Sequence, residues 1–190
     1  MSEESYRTVP DQDGMAKAER AIRRAGLVAF LATGLAAGLG YLVLPFVLTF
    51  PEDLAGRLAF AAQASAFVLV WLLIGVMLVS TGRRFSPEDI GGSAAGPPSD
   101  RLAIQAAFLQ NTLEQVVLAV GLYFALSSLL GGRWLSLIVV GVVLFGVGRI
   151  LFLRGYRRGA PGRALGMTLT MLPTLLGYGL VFALIASKLL

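Results

Sequence analysis

The chain of 190 residues contains no cysteine and no histidine. Those two absences exclude disulfides, thiolate metal sites, iron–sulfur clusters, cysteine nucleophiles and imidazole general bases together. A metal site of carboxylates alone would need an acidic cluster, and the sequence has none, so no metal is expected. Charge is scarce as well. Asp, Glu, Lys and Arg make up 14% of the residues, against about 25% in a soluble domain. Apolar residues make up 56%, and the mean hydropathy is +0.77. The charges cluster between long apolar runs, so those runs must be solvated by lipid. Chemistry in such a chain falls to Arg, Tyr, Ser, Thr, Asp or Glu, or to a reagent brought in with the substrate. The net charge of +5 is expected from loops that face anionic headgroups, so membrane lipids and not nucleic acid are the expected partners.

Residues 1–24 form a polar arm. Residues 1–14 carry Ser, Glu, Asp, Pro and Gly and are expected to be disordered. Residues 15–24 can be helical, with Arg20, Arg23 and Arg24 on one face to grip lipid phosphates. No signal peptide is expected, because the first 25 residues are polar and the apolar run after them is too long for a removable leader. Five apolar segments follow, at about 26–50, 57–80, 102–130, 134–153 and 164–187. Each reaches the roughly 20 residues needed to cross the hydrocarbon layer. A spanning backbone must satisfy its own hydrogen bonds, which makes them helices. Gly34 and Gly38 form a small-residue pair that could serve a helix contact, and Pro45 and Pro173 are expected to kink their helices. The connection at 81–101, rich in Gly, Pro and Ser, is expected to be flexible or turn-rich.

The basic residues set the orientation. Arg7, Lys17, Arg20, Arg23 and Arg24 precede the first span. Arg83, Arg84 and Arg101 lie between the second and third. Arg149, Arg154, Arg157, Arg158 and Arg163 flank the turn between the fourth and fifth. Only Arg57, Arg133 and Lys188 fall on the other side, thirteen against three. The positive-inside rule then puts the N-terminus in the cytoplasm and the C-terminus outside, which requires an odd number of spans.

Polar residues inside the spans mark a candidate site. The third span carries Asn111, Glu114 and Gln115 at i, i+3, i+4, on one helical face. An intramembrane carboxylate costs up to about 2.5–3.5 kcal/mol on insertion scales and needs a partner. At the end of the fourth span Arg149, Phe152 and Tyr156 share a face at i, i+3, i+7. Glu114 and Arg149 fall at comparable depth, so the two faces are expected to converge with Glu114 paired to Arg149. Two readings stay open at this point. One is a network that only fixes helix packing. The other is a polar pocket open to the cytoplasmic interface, where an amphipathic ligand places its charged end. Arg157 and Arg158 read as ordinary positive-inside residues. Arg163, between Gly162 and Gly166 at the start of the fifth span, can lean over the pocket mouth.

These stretches resemble the family of membrane-associated proteins in eicosanoid and glutathione metabolism (MAPEG) over about residues 57–190. Asn111-Thr112-Leu113-Glu114 matches an Asn followed three residues later by an acidic residue in the second of the family's four spans. Arg149, Phe152, Gly155-Tyr156 and Arg163 reproduce the spacing at the end of its third span. Gly96-Pro97-Pro98 repeats a loop motif about two residues further upstream than the family pattern. The chain is thus read as a polar and basic cytoplasmic arm (1–24), an additional N-terminal transmembrane helix (25–50) and an antiparallel four-helix MAPEG-like bundle (57–190), an all-α integral membrane protein. A bacterial inner membrane is the expected location.

The resemblance implies a homotrimer with ligand sites between subunits, near the cytoplasmic face. It also implies glutathione as co-substrate of a transferase or peroxidase acting on a lipophilic small molecule. In that reading Arg163 stabilises the thiolate. Asn111 and Glu114 bind the peptide's polar groups, Gln115 and Phe152 lie beside them, Tyr156 lines the site, and Arg149 supports the carboxylates or Glu114. Catalytic members of the family carry an Arg where this chain has Ala107, often a Tyr at the Phe152 position, and commonly a Tyr at the Gln115 position. All three departures remove groups that hold glutathione. The alternative is a non-catalytic, lipid-binding MAPEG-like protein. A transporter or channel subunit lacks support, since no inverted repeat or array of intramembrane charges occurs.

Overall fold

A computed structural model describes residues 12–189; the disorder expected for residues 1–11 lies outside them. The described residues form five α-helices and no strand: α1 Gln12–Val43, α2 Leu54–Arg84, α3 Asp100–Leu129, α4 Ser136–Gly155 and α5 Gly159–Leu189. Four helical runs are long and apolar enough to span a bilayer: Gln12–Phe46, Leu54–Arg84, Asp100–Leu129 and Gly132–Leu189. The last of these contains both α4 and α5, which fold back on each other at a single 3-10 turn, Tyr156–Arg158.

Two expectations about the N-terminal region need correction. Residues 12–14 are helical, and the basic stretch 15–24 is continuous with the apolar run in one helix of 32 residues. That helix stops at Val43 instead of continuing to about 50. Pro45 lies in the 3-10 turn Leu44–Phe46 that follows. Proline has no N–H to donate and its ring clashes with the carbonyl four residues back, so Pro45 marks the end of α1 and not a kink within it. Pro173 does lie inside α5.

The helices pack as two antiparallel pairs, α2 with α3 and α4 with α5. Their common core holds Ala61, Val68, Val116, Ala119, Leu122 and Phe145. Lipid tails are as apolar as these side chains, so close fit, and not escape from water, holds such helices together. The α4–α5 contact depends on glycine. A Cβ on Gly166 would collide with the backbone of Phe152, and one on Gly155 with the backbone of Gly162. With no side chain at either place the two backbones touch, which brings the start of α5 against the end of α4.

Helix α1 lies along the outer side of α4 and α5. Ala29 packs with Leu144 and Leu169. Gly40 meets Val140, and Tyr41 sits 4.8 Å from Trp134 with the Arg133 guanidinium 4.7 Å from its ring. Gly34 and Gly38 face open space, so the close approach falls at Gly40 instead.

The connection between α2 and α3 is turn-rich but tied down. Asp89 is buried, and its carboxylate accepts from the Ser99 N–H at 2.8 Å and the Ser99 hydroxyl at 2.6 Å. Ser99 in turn caps α3 by accepting from Leu102 N–H. The Ser99 N–H bond, followed by the hydroxyl, holds the Asp89 carboxyl below its usual 3.8. Gly92 and Gly96 take positive φ in this loop, where a Cβ would be strained.

Candidate functional site

The antiparallel order gathers the C-terminal ends of α2 and α4 with the N-terminal ends of α3 and α5, and α1 begins at the same end. A pocket of 410 Å³ opens there between α1, α3, α4 and α5, lined in part by Asn111, Phe152, Tyr156 and Arg163. That volume lies within the range of about 300–1,000 Å³ usual for small-ligand sites. Four residues from two distant sequence motifs therefore share one wall.

Each is held by a specific contact. The Arg163 guanidinium lies 4.8 Å from the centre of the Tyr156 ring, a cation–π contact. Tyr156 meets Phe152 edge-on, with ring centres 5.5 Å apart. Phe152 is buried, with its ring 6.3 Å from that of Phe108 of α3 and tilted 36° to it. These contacts fix Arg163 over the pocket mouth while leaving it half-buried and reachable.

Arg149 is the pivot behind the pocket wall. It is fully buried, and its Nη1 donates to Asn111 Oδ1 at 2.7 Å. Its Nη2 and Nε donate to Thr170 Oγ1 at 2.8 and 3.2 Å. The Thr170 hydroxyl in turn donates to the Gly166 carbonyl at 2.9 Å. The guanidinium also lies 4.8 Å from the Phe152 ring and 5.6 Å from Phe145. A buried cation here is balanced by neutral dipoles and aromatic faces, with no carboxylate in contact among the described residues. Asn111 spends its Oδ1 on Arg149, which leaves its Nδ2 donors free to meet a ligand carbonyl or carboxylate.

The expected Glu114–Arg149 pair does not form. Glu114 is exposed on the outer surface of α3, where Oε1 accepts from Gln110 Nε2 at 3.0 Å. The reason is angular. Thr112, Gln115, Val116 and Ala119 point into the subunit, and Glu114 lies about 200° around the helix from Thr112. Asn111 stands at the edge between these faces and Glu114 well outside it. The one ion pair among the described residues is Arg23 with Glu19, on the exposed arm. Gln115 also does not reach the pocket. It is buried in the subunit, with Oε1 unpartnered.

Several wall residues escaped the reading of the sequence. Thr170 lies seven residues after Arg163, on the same face of α5, and that period could have found it. Ile22 of α1 closes one side of the pocket. Its sequence carries no sign of this, because where α1 docks depends on the assembled α4–α5 surface. Ala107 does line the pocket, so a longer side chain at that position would project into it.

No group of three or more His, Cys, Asp or Glu side chains that could hold a metal occurs among the described residues. Neither a curated protein nor a solved structure matches the chain. The family model for MAPEG matches residues 58–183, which takes in most of α2, all of α3 and α4 and most of α5, together with Asn111, Arg149, Phe152, Tyr156 and Arg163. Apolar helices long enough to span a bilayer, and this match over more than half its length, make the chain an integral membrane protein of the MAPEG family.

Proposed function

We propose that the pocket binds a low-molecular-weight thiol, glutathione being the expected one, and presents its sulfur to a lipophilic electrophile dissolved in the membrane. The observation that carries this reading is the convergence of Asn111, Tyr156 and Arg163 on one pocket wall. A free thiol titrates near 8.5 and is mostly protonated at neutral pH. A guanidinium beside the sulfur favours the anion, which is the nucleophile. The thiol proton leaves to solvent, the sulfur forms a bond to an electrophilic carbon, and a leaving group departs or an anion is protonated. On a lipid hydroperoxide, two thiols would instead yield a disulfide, an alcohol and water. Either route takes its sulfur from the co-substrate, so a chain without cysteine or histidine suffers no handicap.

In this reading the chain crosses the membrane five times, with α1 as an anchor added before the four-helix unit. The basic end of the bundle faces the cytoplasm, where a soluble thiol reaches Arg163. The subunits assemble as a homotrimer. Glu114 supports that assembly. A carboxylate near the middle of α3, beside exposed Leu113, Val117 and Leu118, needs cover that a second copy would supply. A second reading rests on Ala107 and Phe152. A pocket without an Arg or a second phenol at these positions suits a lipid ligand held without catalysis.

Difference ultraviolet spectra separate the two. Glutathione added to the purified protein should develop the thiolate absorption band, and Arg163→Ala should abolish it. No band with either protein refutes thiolate formation and leaves the lipid-binding reading. For the orientation, Ser5→Cys should resist an impermeant maleimide in intact cells; labelling would refute a cytoplasmic N-terminus.

A further inference from the structure

A second cavity, of 160 Å³, lies inside the helical layer and shares no lining residue with the thiol pocket. Thr33 and Ala37 of α1, Tyr123 of α3, Gly141 of α4 and Pro173 and Gly177 of α5 all border it. Its size is close to the about 150 Å³ of an apolar cavity that accepts benzene. No charged side chain lines it.

Two hydroxyls in its wall lack partners. Thr33 is buried, and its Oγ1 makes no hydrogen bond. This is unusual among the buried threonines of this chain. Thr112, Thr170 and Thr174 each donate to the carbonyl four residues back, the usual resolution for a hydroxyl on a helix in an apolar setting. No hydrogen bond among the described residues involves the Tyr123 hydroxyl; the residue is only 3% exposed, but its oxygen is not fully enclosed and borders the cavity. Tyr178, by contrast, donates to the Leu118 carbonyl at 3.0 Å. Gly141 leaves the phenol its space: a Cβ there would stand 3.4 Å from the Tyr123 oxygen. A buried donor without an acceptor, as at Thr33, is rare in folded proteins and points to an absent partner.

We propose that this cavity is a binding site for a small, neutral, ring-bearing lipophile with an accepting oxygen, such as an aryl ketone or a quinone-type ring, held by hydrogen bonds from Thr33 and Tyr123. The apolar walls select a lipophile, the absence of charge selects a neutral one, and the two free donors select an acceptor. Leu176 is half-exposed at the rim, so the ligand enters sideways from the hydrocarbon. Thr33 and Ala37 precede the family-matched residues, so the site exists only because α1 is packed against the bundle.

The probe is 4-fluoroacetophenone, followed by fluorine NMR on the full chain in detergent micelles, with fluorobenzene as the ring without an acceptor. Saturable binding of the ketone above micelle partitioning is expected. Thr33→Val and Tyr123→Phe, which keep side-chain shape, should each weaken it about three- to tenfold and leave fluorobenzene unmoved. Ala37→Phe should fill the cavity and abolish binding of both. Ketone binding that is not saturable, or that neither hydroxyl deletion changes, overturns the proposal. Those two variants decide it even if Ala37→Phe does not fold.

Discussion

Arg149 offers the sharpest test of how the site is built, because its charge is buried on neutral partners. Thr170→Val keeps the shape of the side chain but removes the oxygen that accepts from both Nη2 and Nε. A hydrogen bond to a charged group contributes about 1.5–3 kcal/mol net. The guanidinium is 0% exposed, so no water can replace the lost acceptor. Thr170→Val should therefore cost about 2 kcal/mol, a factor of roughly 30 in the folding equilibrium. That exceeds the average of about 0.6 kcal/mol for hydrogen bonds between membrane helices, since here the donor is ionised. In an Arg149→Met background the valine has no orphaned cation to face, and the same substitution should cost less than about 0.5 kcal/mol. The assay is reversible unfolding from a mild detergent into dodecyl sulfate, followed by far-ultraviolet circular dichroism, for all four members of the cycle. Equal costs of Thr170→Val in the two backgrounds would refute the claim that Thr170 carries the charge of Arg149.

Three further outcomes follow from the packing and the loop. Gly166→Ala should destabilise by about 1–3 kcal/mol through overpacking against Phe152, whereas Gly38→Ala, facing open space, should be neutral or stabilising by up to about 1 kcal/mol; the same titration compares them. The Asp89 carboxyl is held below 3.8, so its anchoring of Ser99 is present above that value and lost as pH falls through the lowered one. Hydrogen exchange at the Ser99 amide should quicken over that acid range, and Asp89→Asn should remove the pH dependence. Native mass spectrometry in detergent should give a trimer that Glu114→Lys breaks into monomers; a monomeric parent protein would remove the argument that a second copy covers Glu114.

Much of the molecule was legible in the linear sequence. The missing cysteine and histidine, the scarcity of charge and the long apolar runs determined an integral membrane, all-helical chain, because backbone polar groups in hydrocarbon have few other solutions. Spacing alone placed Arg149, Phe152 and Tyr156 on one face at the end of the fourth span. Helix ends followed local rules less closely: Pro45 stopped α1 well short of the apolar run's end, while the polar residues 12–24 joined it. Which neighbour each polar side chain would meet was not legible. Asn111 and Glu114 stand only about 60° apart around the helix, yet the edge of the buried face falls between them and sends one to Arg149 and the other to the surface. Tertiary structure alone decided that glycine-to-backbone contact between α4 and α5 would bring Thr170 to Arg149 and Arg163 to Tyr156. It also decided that α1 would lean on that pair, closing one pocket with Ile22 and bordering another with Thr33. Sequence period sets the direction of a side chain relative to its own helix; the partner depends on how the other helices are turned.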